Sequence, residues 1–586
     1  MKQYQIEING QIIDASEYQN AIYDKIEYDT CNIIVNAAAG AAKTTTMVNA
    51  LRLPIFGDGK KKVLFIAFNK SIVEAIEAKV KDRENITIRT FHSLGYQMIR
   101  NCFPDKKIQI NENKYLIYIN TNYAKFINPQ KLTNRSKKLI FKKNIEKLVD
   151  YCRYYVAVTN ADYKKIAEKY GINPLDNEFE AVKEILKWGK ENIDTIDYTD
   201  MIYLPAALNL RSRALRYDYI FIDEAQDTSI AEQMLVESTF KRNTRFVCVC
   251  DIHQQINVWC GATENAIENF RNLNKKRCED LRLPISYRCP ILVVRYAKQY
   301  SDNIEAAPNA EKGVIREKVS IYEPKNGDMV LSRTTAPIVD LYLKYLRVNK
   351  PCYIKGSEGE KEMLVGLIKS TKATILDKKC NGKDGLFPRL YQQLFEIIKS
   401  NMNTYKIDEE EAIRYSNVLQ FYDTIETISV LCEGMPTVQD LIDKIESVFV
   451  ENNQKGVELS TIHKAKGLEA DNVFIIPSSL PDILGNKSLP WEKETERNLK
   501  YVACTRAKKS LNFLDNRDLN LFKTASLKEM KFFLKIIKDR IDFAEEHDIS
   551  SIDETDTTTI KTLGNITTKQ NTNNRGIRKL SGFLKI

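Results

Sequence analysis

Two stretches carry residues whose types and spacing can do chemistry. In AAAGAAKTTT (37–46) small residues lead into a lysine and three threonines. Backbone N–H groups with so little side chain around them can close on phosphate oxygens, and a helix starting at the lysine adds the positive end of its dipole. The run fits [AG]xxxxGK[ST] with one departure, Ala42 where glycine normally precedes the lysine. Ala37, Ala38, Ala39, Gly40, Ala41, Ala42 and Thr45 would form the cradle. Lys43 would meet the β- and γ-phosphates and Thr44 would ligate Mg²⁺. If position 42 needs a positive φ, alanine costs about 1 kcal/mol there. The second stretch, YDYIFIDEAQD (217–227), is an apolar run ending in two carboxylates. Asp223 suits Mg²⁺, a hard cation that prefers oxygen. Glu224 suits orienting and deprotonating a water that attacks the γ-phosphate. Loop and carboxylates together predict Mg²⁺-dependent hydrolysis of ATP.

Such groups need a scaffold that ends several strands at one place. NIIVNA (32–37), KVLFIAF (62–68), YIFIDEA (219–225), RFVCVCD (245–251), DMVLSR (328–333) and DNVFIIP (471–477) read as buried parallel strands alternating with helices. That rhythm predicts α/β, doubly wound sheets, with ligands at the carboxyl ends of the strands. Two stretches break it. About 101–195 is helical, Lys-rich and Tyr-rich; about 360–450 is helical again. From 546 the chain turns polar, too poor in apolar residues to order itself.

At 586 residues, 43% hydrophobic and 28% charged, the chain is long enough for about three to four folded domains. The net charge of +10 permits nucleic acid as a partner. Twelve cysteines without a CxxC pair, and four histidines, disfavour a zinc or iron–sulfur centre and fit reduced, buried thiols. No apolar run reaches the ~18–20 residues that span a bilayer, and no signal peptide opens the chain. A soluble cytoplasmic protein is predicted, with a nucleoid or viral-replication setting compatible with its Lys-, Ile- and Asn-rich composition. Residues 114–169 hold 13 Lys and Arg against 4 Asp and Glu, with tyrosines and phenylalanines between them, which predicts phosphate contact and base stacking. A solvated lysine face over a Tyr/Phe core is the competing reading.

With DEAQD in place, the segments around it resemble the UvrD/Rep/PcrA group of superfamily 1 DNA helicases, closest in style to small phage-type and F-box-helicase-like members. The resemblance runs from about residue 15 to 515. It implies two RecA-like motor domains and ATP-driven movement on single-stranded DNA, 3′→5′. EYQNA (17–21) brings Gln19 to the adenine edge. AFNKS (67–71) and TFHSLG (90–95) bring Phe68, Asn69, Lys70, His92 and Ser93 to DNA. DIHQQINVWCGA (251–262) implies that Gln254 senses the γ-phosphate and Trp259 stacks on DNA; Asn257 and Cys260 depart from the family's tyrosine and arginine. LPISYRCP (283–290) implies Tyr287 on adenine and Arg288 at the γ-phosphate. ELSTIHKAKGLEADNVFI (458–475) implies Thr461 and His463 at DNA, with Gly467 and Glu469 at the nucleotide. ERNLKYVACTRAK (496–508) implies Arg506 as a second arginine finger.

The division expected is a first motor domain over 1–100 and 196–284 with a basic insertion over 101–195. A second motor domain follows over 285–359 and 451–545, with a reduced helical insertion over 360–450 and a polar tail over 546–586. Expected partners are ATP, Mg²⁺, single-stranded DNA and its junctions with duplex, and a protein that the basic, apolar segment 575–586 could engage; no membrane is involved. Two rivals remain: a translocase that displaces proteins without unwinding, and a nucleotide-switched DNA-binding protein with weak hydrolysis, suggested by Ala42, Asn257 and Cys260.

Overall fold

A computed structural model describes residues 2–539 except 9, 128–134, 173, 175, 176, 259, 260, 274, 356, 357, 383, 406, 414, 449–454, 480–489, 516 and 518–529. Trp259, Cys260 and the segment 575–586 therefore lie outside the described residues. Twelve strands form two six-stranded, fully parallel sheets. The first holds β1 (Asn32–Ala37), β2 (Val63–Ile66), β3 (Ile86–Arg89), β4 (Tyr217–Ile222), β5 (Phe240–Cys250) and β6 (Cys278–Leu283), in the order β6-β1-β5-β4-β2-β3. The second holds β7 (Val314–Val319), β8 (Met329–Ser332), β9 (Cys352–Ile354), β10 (Val457–Thr461), β11 (Ala470–Ile475) and β12 (Ala507–Leu514), in the order β7-β12-β11-β8-β10-β9. Two RecA-like α/β units are thus present. Interior strands such as β2 (VLFI) are buried throughout because helices cover both sheet faces, which is why they are continuously apolar. Since all strands of the first sheet run one way, Ala37, Ile66, Arg89, Ile222 and Cys250 end on one edge, where ligands of such sheets bind.

Helices Lys114–Phe126, Arg135–Tyr154, Asn160–Lys169 and Glu178–Glu191 stand between β3 and β4 and share a core with one face of the first sheet, including Phe141, Ile145, Val182 and Ile185. Here the expectation of outward aromatics and cations needs correction. Tyr115 and Phe141 are buried, Tyr118 stacks on Trp188 at 3.9 Å, and Tyr151 stacks on Tyr170 at 3.7 Å. Packing, not base stacking, accounts for these rings. Two of the counted cations also turn inward. Lys114 Nζ lies 2.6 Å from Asp200, and Arg153 lies 2.6 Å from Asp197 and 3.3 Å from Asp200. Tyr115 donates its hydroxyl to Asp200 at 2.7 Å, and Asp197 caps the helix Tyr198–Ala207. Lys125, Lys164 and Lys165 remain on the surface. Because the network is buried, Asp200→Ala leaves the Lys114 ammonium without a carboxylate, while Arg153 keeps Asp197 and Asp150. The first RecA-like unit should lose about 3–5 kcal/mol, measured by urea unfolding.

The second helical insertion, Glu358–Thr371 to Val438–Val448, builds its own core around Leu364, Leu390, Ile425 and Leu441. Met530, Leu534 and Ile537 belong to that core, so the helical residues 530–539 pack with this insertion, whereas the sequence places them with the second motor domain. Asp423 anchors the insertion by accepting hydrogen bonds from Thr335 and Ala336 N–H, at 2.8 and 3.1 Å, at the start of helix Ala336–Arg347. No disulfide joins any of the described cysteines. No helix among the described residues is long and apolar enough to cross a membrane.

Candidate active site

Where β1 ends, Ala37, Ala38, Ala39 and Ala41 are buried and the helix Lys43–Ala50 begins. Gly40 has φ +72°, and a Cβ there would lie 2.6 Å from Arg288 Cβ, so the loop and the segment carrying Arg288 touch only because this side chain is missing. Ala42 caps the helix with φ 56°, ψ 38°, the left-handed conformation that glycine accepts without strain. Ala42→Gly removes a strain of about 1 kcal/mol and adds unfolded-chain freedom of comparable size. Titration with a fluorescent ATP analogue should therefore show affinity unchanged or tighter; a clear loss would mean that the loop is tuned around alanine.

Lys43 Nζ is buried, lies 3.1 Å from Glu224 Oε1 and makes no aligned hydrogen bond. Burial alone would depress its pKa, but Glu224, Asp251 and Asp223 outweigh burial and hold the ammonium firmly charged. Thr44 donates its hydroxyl to Asp223 Oδ2 at 3.1 Å, which brings a hydroxyl and a carboxylate of the kind Mg²⁺ prefers to one point. A buried cation without an aligned acceptor beside paired hard oxygens fits a phosphate with its Mg²⁺. Thr45 stands in the first turn of the same helix, and its carbonyl accepts from Asn49 at 3.0 Å. Gln19 is buried, closes a capping box with Ser16, and donates to Thr46 Oγ1 at 2.9 Å.

At the end of β4, burial and then Glu224 push Asp223 above the usual carboxylate range. Glu224 goes the other way: burial opposes ionisation, yet Lys43 and Lys466 outweigh it and hold the carboxyl low. Its backbone, at φ 51°, is left-handed like that of Ala42. Strained residues of this type concentrate at functional sites. Gln226 joins Glu224 to the next strand end, donating to Glu224 Oε2 and accepting from Asp251 N–H at 3.0 Å. Asp251 in turn accepts from Gln254 Nε2 at 2.7 Å.

The second unit completes the arrangement. Arg506 Nη2 donates to Gln254 Oε1 at 3.3 Å, and its other nitrogens bond the carbonyls of Val502 and Leu468. Burial, then Arg288, draw this guanidinium down to about 10. Lys466 pairs with Asp227 and donates to the Gln254 carbonyl at 2.7 Å. Arg288 Nε bonds Glu469 at 2.7 Å and Nη1 reaches the Thr505 carbonyl at 3.4 Å. Tyr287 N–H donates to the Gly40 carbonyl at 3.0 Å, while the residue is 54% exposed. Gly467, at φ 85°, lies in the exposed turn between Lys466 and Glu469.

The residues expected at DNA divide. Phe68 is 53% exposed just beyond β2, and Lys70 and His92 are exposed nearby in sequence and sheet order. Asn69 and Ser93, in contrast, are engaged as helix caps: Asn69 accepts from Ile72 N–H at 2.9 Å, and Ser93 forms a capping box with Thr90. Thr461 ends β10 and His463 follows it, both half-buried; burial, with Arg333 and Lys466, brings the His463 imidazole down to about 3, so it is neutral. Sequence reasoning missed Tyr198, exposed with its ring 6.3 Å from His92, as well as Gln226, Asp251 and Lys466. Those last three stand inside motifs already singled out, but their roles arise from contacts across strands and units that no spacing reveals.

Residues 19–275 match the model of the UvrD/REP helicase N-terminal domain, and residues 456–514 match that of the UvrD-like helicase C-terminal domain. The two matches flank the insertion between β9 and β10 and together take in just over half of the chain. The chain belongs to the UvrD/Rep helicase family. It is similar to a probable DNA helicase II homolog of Mycoplasma pneumoniae, at 22% identity over 82% of this chain and 81% of that protein. It is 23% identical to F-box DNA helicase 1 of Gallus gallus over 84% of this chain, and to the ATP-dependent DNA helicase Rep of Escherichia coli over 40%. The matches cover 48% and 36% of those two proteins, so the chain spans half or less of their length. UvrD/Rep helicases are ATP-hydrolysing enzymes that bind DNA, and the two parallel sheets are the two units such enzymes share.

Proposed function

We propose that this UvrD/Rep-family chain is an ATP- and Mg²⁺-dependent motor that moves 3′→5′ along single-stranded DNA and unwinds duplex at a junction, in replication, repair or recombination. The observation that carries the reading is the meeting of Arg506 and Lys466 from the second unit with Gln254 and Asp227 of the first. Lys43 and the small-residue loop hold the phosphates, with Gln19 and Tyr287 at the base. Glu224 orients the attacking water and takes its proton. Gln254, Arg288 and Arg506 stabilise charge on the phosphoryl group, a contribution of about 10³–10⁵ in rate in related chemistry. Thr44 and Asp223 would hold Mg²⁺, which supplies charge neutralisation on the β- and γ-phosphate oxygens.

Because ligands for one nucleotide come from both units, binding draws the units together and breakdown lets them part. Phe68, Tyr198 and His92 on the first unit and Thr461 and His463 on the second would then grip a strand alternately. Stacking of a base on an aromatic ring contributes about 1–3 kcal/mol whatever the base, so the grip ignores sequence. The motor domains are assigned to 1–100 with 196–284, and to 285–359 with 451–515. Residues 530–539 join the accessory helices of 360–450.

ATP turnover with and without single-stranded DNA tests the proposal, followed by unwinding of duplexes with 3′ or 5′ overhangs. Strong stimulation and unwinding from a 3′ overhang are expected. Stimulated turnover with protein displacement but no strand separation would select the translocase. Negligible turnover with tight nucleotide binding would select the switch, which the left-handed Ala42 favours.

A further inference from the structure

Helix Pro490–Cys504, which leads into Arg506, turns one face toward the first unit. Asn498, Tyr501 and Thr505 recur at the i, i+3, i+7 spacing of a single helical face, and all three are buried. Asn498 Nδ2 donates to the carbonyls of Ile252 and Gln255, at 3.3 and 2.9 Å, the two that bracket the turn carrying Gln254. Tyr501 reaches further. Its hydroxyl accepts the Ala39 N–H at 3.1 Å, inside the phosphate loop, and its ring lies edge-on to His253 at 5.9 Å. Thr505 Oγ1 accepts from Arg506 Nη2 at 3.2 Å. One helical face therefore touches the phosphate loop, the Gln254 turn and the arginine itself.

We propose that Tyr501 and Asn498 are positioning residues that seat this helix on the phosphate loop and the Gln254 turn, so that Arg506 is presented to the nucleotide only when both holds are made. The proposal rests on the motor reading above and extends it to residues that do not touch the reacting atoms. An α-helix transmits a displacement at Tyr501 to Arg506 within little more than one turn. A phosphate loop shifted by its occupant thus moves the arginine directly, without a signal through the sheet.

Tyr501→Phe keeps the ring and strips the oxygen, leaving the Ala39 N–H buried without an acceptor. With saturating ATP and single-stranded DNA, turnover should fall about 10-fold or more, a typical effect of an orphaned buried donor. Affinity for ADP, which lacks the phosphate that Arg506 addresses, should stay within about 2-fold. Asn498→Ala should lower turnover in the same direction. In an Arg506→Lys background Tyr501→Phe should add less than about 2-fold, because the residues act as one unit. Hydrogen exchange at the Ala39 amide, measured without nucleotide, should speed up in Tyr501→Phe. Turnover within about 2-fold of the unaltered chain, or a fully multiplicative loss in the Arg506→Lys background, overturns the proposal. So does unchanged exchange at Ala39. If the unaltered chain hydrolyses no ATP, the motor reading fails on its own, and the exchange rate still decides whether Tyr501 holds the loop.

Discussion

Arg506→Ala should cut DNA-stimulated ATP turnover by about 10³-fold or more while ADP binding persists. The reason is its origin. Lys43, Asp223 and Glu224 stand on the first sheet, whereas Arg506 enters from the start of β12 in the second and meets Gln254 across the joint. Its contact with Gln254, like that of Lys466 with Asp227, depends on how the units face each other. Since Arg506 is buried and bonds the carbonyls of Val502 and Leu468, the alanine variant must also be checked for folding, by thermal melting. Arg506→Lys supplies that control. It keeps a charge, but one ammonium cannot reproduce the guanidinium fork, so turnover should lie between wild type and alanine. Near-normal turnover in Arg506→Ala would remove the second unit from the chemistry.

Glu224→Gln is the second large effect. Loss of a general base lowers hydrolysis by about 10²–10⁴-fold, whereas the amide keeps the shape of the side chain and its contact with Gln226. Nucleotide affinity should be maintained or increased, because a negative charge near the phosphates is gone. Single-turnover hydrolysis measured beside analogue binding separates the two quantities. Lys43→Ala should show the opposite pattern, losing binding first. If Glu224→Gln hydrolyses ATP at the normal rate, the proton goes elsewhere.

The gathering of Lys43, Thr44, Asp223 and Glu224 at one point was legible because those residues are local in the chain. A lysine five residues after Ala38 and two carboxylates at a strand end are adjacent in the chain, and a parallel sheet necessarily brings strand ends together. The strand runs read from sequence correspond to β1, β2, β4, β5, β8 and β11, all of them interior and densely apolar. Edge strands escaped notice: β6 is CEDLRL and β7 is VIREKV, half solvated and charged. β10 and β12 escaped although they are interior, β12 because Lys508 and Lys509 break its apolar run. Charge counting also misled at Lys114 and Arg153. Composition registers their sign but not that Asp197 and Asp200, some 45–85 residues on, fold back to neutralise them. Asn69 and Ser93 show the reverse confusion: residues that look like DNA contacts are also the ones helix starts require.

The apolar core carries a mechanical corollary. Ile33, Val35 and Val247 of the first sheet and Leu331, Val473 and Leu511 of the second belong to one continuous cluster, which also takes in Val293, Val294 and Tyr501. Pulling the two halves cleanly apart would wet that seam at every round of fuel consumption, a penalty that recurs with each stroke. A rolling contact avoids it: the lubricated centre stays dry while the rim, where the ionic and polar clasps sit, opens and shuts. Strokes of this engine should accordingly be short swivels about a greasy bearing, with a step length set by how far the rim can gape before water reaches the axle.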